Sequence, residues 1–100
     1  MYNFHAGAPN VSELTFDRES RTLNCTSTDG PATTVTWTKD GAVITPSTTY
    51  QQTQMIVDSV EGIYQNTLTI AQSVTGDNLY GLYSCMVENS RGSSNRTLYF

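Results

Sequence analysis

Four short runs in this chain alternate apolar residues with threonine, serine or asparagine at a period of two, and no segment keeps the 3.6-residue period of an amphipathic helix. In "RTLNCTS", Leu23 and Cys25 share one face, and Thr22, Asn24 and Thr26 the other. "TTVTWTK" turns Val35 and Trp37 inward and Thr34, Thr36 and Thr38 outward. "YQNTLTI" groups Tyr64, Leu68 and Ile70, with Thr67 and Thr69 facing away. "GLYSCMV" points Tyr83, Cys85 and Val87 in, and Leu82, Ser84, Met86 and Glu88 out. Between the runs stand "TDGPA", "KDG", "DSVEG", "TGDN" and "ENSRG", each a turn signal built on glycine or an Asx residue. Weaker strands are expected over Glu13–Phe16, Val43–Ile44, Tyr50–Val57 and Arg96–Phe100. Seven or eight short strands with one apolar face each can bury those faces only against one another, which predicts an all-β fold of two stacked antiparallel sheets.

With 100 residues, a single domain burying roughly two-thirds of its unfolded surface is expected. The N-terminal residues 1–10 read as an arm or linker and 11–100 as the folded domain. Sixteen threonines and ten serines supply the polar half of the alternation. One lysine and four arginines against a net charge of −4 leave no basic footprint for a nucleic acid. No apolar run reaches the roughly 20 residues that cross a bilayer, so membrane insertion by this domain is not expected. The N-terminus "MYNFHAGAPN" lacks a secretory apolar region. Together with an end inside the apolar "TLYF", it raises the expectation of an excised piece of a longer protein.

The two cysteines, Cys25 and Cys85, have three readings: a reactive thiol, a metal ligand, or half of a crosslink. A nucleophilic thiolate needs a base, and the sole histidine, His5, lies in the N-terminal arm. Zinc needs about four ligands, which two cysteines and one distant histidine do not supply. "DSVE" is not the alternating oxygen-ligand pattern of a calcium loop. A Ser-His-Asp set cannot be assembled, and no glycine loop for phosphate is present. No cofactor, metal or catalytic residue is expected, and an enzyme is the weakest of the function classes.

The combination Cys25…Trp37…Tyr83-x-Cys85 resembles the immunoglobulin fold. "WTKDG" at Trp37–Gly41 and "LTI" at Leu68–Ile70 are similar to signatures of its intermediate, or I-set, type, and so is "GLYSCMVENSRG". The resemblance runs from about Val11 to Phe100. It implies a Greek-key β-sandwich, a disulfide between Cys25 and Cys85 packed on Trp37, and a core signature of Trp37, Leu68 and Tyr83. Two departures stand out. Leu79 occupies the corner position where the family usually has Asp, with Asp77 two residues earlier. Arg21 sits at an inward parity where Val is usual, so the strand is expected to begin after it. Antibody-type variable domains fit less well, because no F-G-x-G appears on the last strand.

The resemblance implies an extracellular recognition module, one domain of a cell-surface adhesion molecule or receptor ectodomain. Its partners would be proteins, homophilic or heterophilic, and neighbouring immunoglobulin-like domains. The alternative is a structural spacer in a tandem array of the matrix or muscle type. The candidate contact residues are Thr36, Thr38, Leu82, Met86 and Glu88 on the outer face of the sheet carrying Trp37 and Cys85, with Arg91 at the tip of a loop spanning Asn89–Asn95. Leu82 and Met86 stand outward in one row, ringed by hydroxyls, where a solvated face would be polar. Three sequons head candidate glycosylation sites at Asn10, Asn24 and Asn95.

Overall fold

The computed structural model describes residues 7–30, 32 and 34–100. His5 and most of the N-terminal arm lie outside the described residues. Eight strands follow in chain order: β1 (Asn10–Asp17), β2 (Thr22–Thr28), β3 (Thr34–Lys39), β4 (Ala42–Val43), β5 (Tyr50–Asp58), β6 (Ile63–Ile70), β7 (Leu82–Asn89) and β8 (Gly92–Tyr99). A 3₁₀ turn, Gly76–Asn78, precedes β7. The strands form two four-stranded antiparallel sheets, ordered β1-β2-β6-β5 and β4-β3-β7-β8.

The period-two pattern decides which side chains meet between the sheets. Leu23, Cys25, Leu68, Tyr83, Cys85 and Val87 are wholly buried, and Trp37 and Ile70 nearly so. Cys25 of β2 and Cys85 of β7 are bonded across the sandwich, with Cα atoms 6.4 Å apart. Trp37 is the register partner of Cys85, so the indole packs beside the crosslink. At one end Phe100 stacks on Phe16 and on Tyr83, with centroids 3.8 and 4.9 Å apart.

Local chemistry sets the strand ends. Arg21 has φ 54°, so β2 starts one residue later, and its guanidinium donates to the Val74 and Ala71 carbonyls. Asp17 Oδ1 accepts from the Glu19 and Ser20 N–H groups and folds the β1–β2 turn. Asp40 and Gly41, at φ 51° and 85°, make the two-residue loop that reverses β3 into β4. Positive φ at both central residues is what a type I′ hairpin requires.

Several strands run further than the alternation suggests. β1 spans Asn10–Asp17 and β8 spans Gly92–Tyr99, whereas the expected strands were Glu13–Phe16 and Arg96–Phe100. Apart from Val11, which is buried in the core, the extra residues are polar or glycine, so no apolar alternation marks them. Hydrogen bonds bring the two strands together instead: Val11 N–H donates to Ser94 Oγ and Arg96 Nε to the Val11 carbonyl, each at 3.0 Å.

The corner lacking its usual Asp survives by another route. Tyr83 Oη donates to the Leu79 carbonyl at 2.6 Å, so the backbone at position 79 anchors the ring whatever its side chain. Leu79 itself is buried.

Candidate functional site

The outer face of the β4-β3-β7-β8 sheet can be assembled row by row, because register partners in an antiparallel sheet share a face. Across β3, β7 and β8 the rows are Thr34–Glu88–Ser93, Thr36–Met86–Asn95 and Thr38–Ser84–Thr97, with Val43 of β4 beside Thr38. Beyond them Leu82 faces Tyr99.

This arrangement divides the expected apolar row. The Thr38 and Ser84 hydroxyls are hydrogen-bonded to each other between Leu82 and Met86. Met86 is half-buried among its neighbours, whereas Leu82 is 43% exposed and Tyr99 73%. The exposed apolar pair is therefore Leu82 with Tyr99, on adjacent strands. Sequence reading missed Tyr99. Counting back along both strands from the Asn89–Gly92 turn places it opposite Leu82.

Leu82 is held in position from the β3–β4 loop. Its N–H donates to Asp40 Oδ1 at 2.9 Å, and its carbonyl accepts from the Asp40 N–H at 2.8 Å. The Leu82 N–H holds the Asp40 carboxyl below the usual carboxylate range, and Lys39 at 3.4 Å adds to this.

The loop after β7 is shorter than expected. β8 begins at Gly92, so only Ser90 and Arg91 lie between the strands, and Ser93–Asn95 belong to β8 rather than to a loop. Arg91 is exposed, and its N–H donates to Asn89 Oδ1 at 2.8 Å. Asn89 Nδ2 in turn donates to the Gly7 carbonyl. The tip is thus a braced two-residue turn presenting one guanidinium.

A sequence profile described as immunoglobulin domain matches residues 8–89. The chain belongs to the immunoglobulin domain family. Among solved structures, the domain is similar to the crystal structure of Down syndrome cell adhesion molecule, isoform 1.30.30, N-terminal eight Ig domains. The TM-score is 0.72 at 23% identity, over 91% of this chain and 14% of that one. At that identity the likeness shows the fold, and the chain spans about one-seventh of the length of that structure. No curated protein sequence matches.

The three sequons of this immunoglobulin domain stand in different settings. Asn10 opens β1 and is exposed. Asn24 lies on the outer face of the β1-β2-β6-β5 sheet, half-buried, where its Oδ1 accepts from Gln65 Nε2 at 3.0 Å. Asn95 is exposed in the same row as Met86 and Thr36.

Two wholly buried polar residues of the domain, Ser27 and Asn66, were also missed. Asn66 Nδ2 donates to the Cys25 carbonyl at 3.1 Å and to Ser27 Oγ at 3.2 Å, and its Oδ1 accepts from Gln54 Nε2 at 2.9 Å. Parity would have found Asn66, since it sits between Tyr64 and Leu68 on the inward face of β6. Among the described residues, no group of three or more His, Cys, Asp and Glu side chains gathers in a metal-binding arrangement.

Proposed function

We propose that this immunoglobulin domain is an extracellular protein-recognition module of the adhesion-molecule or receptor type, acting by surface contact and not by catalysis. Its contact face would be the outer side of β4-β3-β7-β8 around Leu82, with Met86, Thr36, Thr38, Glu88 and the Arg91 turn. The observation that carries this reading is the Leu82–Tyr99 pair, two large apolar side chains exposed side by side on a rigid sheet. Hydroxyls and a polarisable thioether around them suit an adaptable protein contact. The disulfide supports an oxidising compartment, and the family supports a non-enzymatic role. The I-set assignment rests on the sequence signatures alone.

The test is binding by the domain displayed on beads, to cells and to like-coated beads, for the wild type and for Leu82→Glu with Met86→Arg. Attachment lost in a folded double variant is the expected result. Unchanged attachment removes the contact role from this face.

The alternative, a spacer in a tandem array, is favoured by the similarity to a structure of eight successive Ig domains. The redox state of Cys25 and Cys85 in the native source separates the cell-surface reading from a cytosolic array: oxidised in the first, free thiols in the second.

A further inference from the structure

At the Phe100 end of the sandwich the seam between the two sheets is not filled. A cavity of about 250 Å³ opens there, lined by Phe16 of β1, Arg18 and Arg21 of the β1–β2 turn, Leu79 and Tyr80 before β7, and Phe100 after β8. Its walls are held from behind. Phe100 stacks on both Phe16 and Tyr83, and its backbone exchanges hydrogen bonds with Gly81 at 2.8 and 3.2 Å. Leu79 is buried, and its carbonyl takes the Tyr83 hydroxyl. Arg21 Nη1 is fixed by the Val74 and Ala71 carbonyls. Of the six lining residues, Arg18 and Tyr80 are the exposed ones, and they form the mouth.

The cations of this cavity lack anions. Among the described residues, Arg21 Nε and Nη2 have no acceptor, and Arg18 has neither a hydrogen bond nor an ion pair. The chain carries nine acidic side chains against five lysines and arginines, yet none of the nine lines the cavity. Asp17 and Glu19 flank Arg18 in sequence, and Asp77 lies in the 3₁₀ turn. Asp17 Oδ1 is taken by the Glu19 and Ser20 N–H groups, and among the described residues no ion pair joins these acids to either arginine. A guanidinium offers donors in a planar fork that matches a carboxylate. Held on one side by backbone carbonyls, the Arg21 fork is pre-oriented with donors to spare, and Arg18 stands over it at the mouth.

We propose that this cavity is a second recognition site, which takes a short apolar segment of a protein partner bearing a single acidic side chain. The carboxylate faces Arg18 and Arg21, and its apolar neighbours lie against Phe16, Leu79, Tyr80 and Phe100. Three properties of the cavity select this occupant. Two guanidinium groups with unused donors call for a carboxylate, the pairing by which arginine clusters recognise acidic motifs. A volume of about 250 Å³ is below the roughly 300–1,000 Å³ of a small-molecule site and suits one or two side chains. Apolar and aromatic walls favour a ligand with an apolar body over a bare hydrated anion. The neighbouring Asp17, Glu19 and Asp77 repel a run of acids, so one carboxylate among apolar residues is the form that fits. The site goes beyond the contact face proposed above. It shares no residue with Leu82, Met86 or the Arg91 turn, so either can fail without the other.

The experiment is an NMR titration of the isotopically labelled whole chain with the acetylated, amidated peptide phenylalanine-glutamate-leucine. Saturable shifts are expected at the Arg18 and Arg21 Nε–H groups and the Leu79 methyls, with a dissociation constant of roughly millimolar. Glutamine in place of the glutamate should weaken binding at least about tenfold, since charge-assisted hydrogen bonds are lost. Arg18→Gln and Tyr80→Glu change exposed side chains at the mouth and should each weaken it at least about threefold. Ser93→Glu adds the same charge as Tyr80→Glu at the opposite end of β8, and should leave binding unchanged. Absence of saturable shifts at these groups overturns the proposal. So does equal binding of the glutamine peptide, or a loss in Ser93→Glu equal to that in Tyr80→Glu. Inorganic phosphate giving the same shifts at the same concentrations also overturns it, and makes the cavity a site for small anions.

Discussion

Asn95 and Met86 face each other across β8 and β7, register partners on the outer surface of the β4-β3-β7-β8 sheet. Asn95 is exposed and heads a sequon, and Met86 is half-buried beside it. A carbohydrate chain on that amide would lie over the thioether. A glycan at Asn95 would therefore compete with the protein contact proposed at Met86 for one surface.

The competition can be measured without a partner. In protein secreted from a eukaryotic host and glycosylated at Asn95, Met86 is expected to oxidise roughly two-fold or more slowly than in Asn95→Gln, because sulfoxide formation follows exposure. Met55, 57% exposed on the other sheet, is the internal reference. Mass spectrometry after peroxide treatment reads both residues. Equal Met86 rates in the two proteins would show that the sugar leaves the face open.

Tyr83 predicts a loss of stability in alkali. Burial of the phenol is the largest cause raising its pKa from 10.0 to about 12, with Tyr50 and Asp40 adding charge repulsion. An unfolded chain ionises this ring near its ordinary value, so the folded state is favoured below that pH. The contribution fades as pH rises through the folded value of about 12. Thermal midpoints measured across this window should fall for the wild type and fall less steeply for Tyr83→Phe. At neutral pH the variant should be less stable by about 1 kcal/mol, having lost the bond to the Leu79 carbonyl.

Legibility in the sequence followed how strongly each feature depends on alternation. The four central strands, β2, β3, β6 and β7, and their inward residues could be read from parity, because one-sided burial imposes a period of two. The extensions of β1 and β8 could not, since a lone Val11 among polar residues sets no alternation, although its side chain is buried in the core and its N–H is bonded to Ser94. The candidate face was half legible. Leu82 was identified from its own strand, but its partner Tyr99 depends on a register that only the turn length fixes. The exposure of β5 was not legible, because Met55, Ile56 and Val57 follow one another with no alternation to assign a face, and nothing local says that the opposing sheet does not cover them.

Asn66 is expected to matter more than a polar residue in an apolar core first suggests. Its amide satisfies the Cys25 carbonyl, Ser27 Oγ and Gln54 Nε2 at once. Asn66→Ala leaves buried groups without partners and should cost about 1–3 kcal/mol. Asn66→Asp keeps an acceptor for Gln54 but removes both donated bonds, setting oxygen against oxygen at the Cys25 carbonyl, while the Ser27 hydroxyl can turn to donate instead. Its loss should grow with pH as the carboxyl ionises. Denaturant midpoints at two pH values test this, and a pH-independent Asn66→Asp protein would show that the carboxylate finds solvent.

The disulfide should act on the unfolded chain as well as on the core, and the two contributions can be separated. Closing a loop across the 60-residue separation of Cys25 and Cys85 should stabilise by about 4 kcal/mol in the chain-entropy account. For a domain of this size that corresponds to a fall of about 15–30 °C in thermal midpoint on reduction. Reduced wild type keeps both sulfur atoms against Trp37, so its loss reports mainly the loop constraint. The double variant Cys25→Ala, Cys85→Ala also empties the space beside the indole, in a site already wholly buried, and should fall further. The expected order of midpoints is oxidised wild type, reduced wild type, double alanine. If the reduced and alanine proteins melt together, packing at Trp37 contributes little and the crosslink acts through the unfolded state alone.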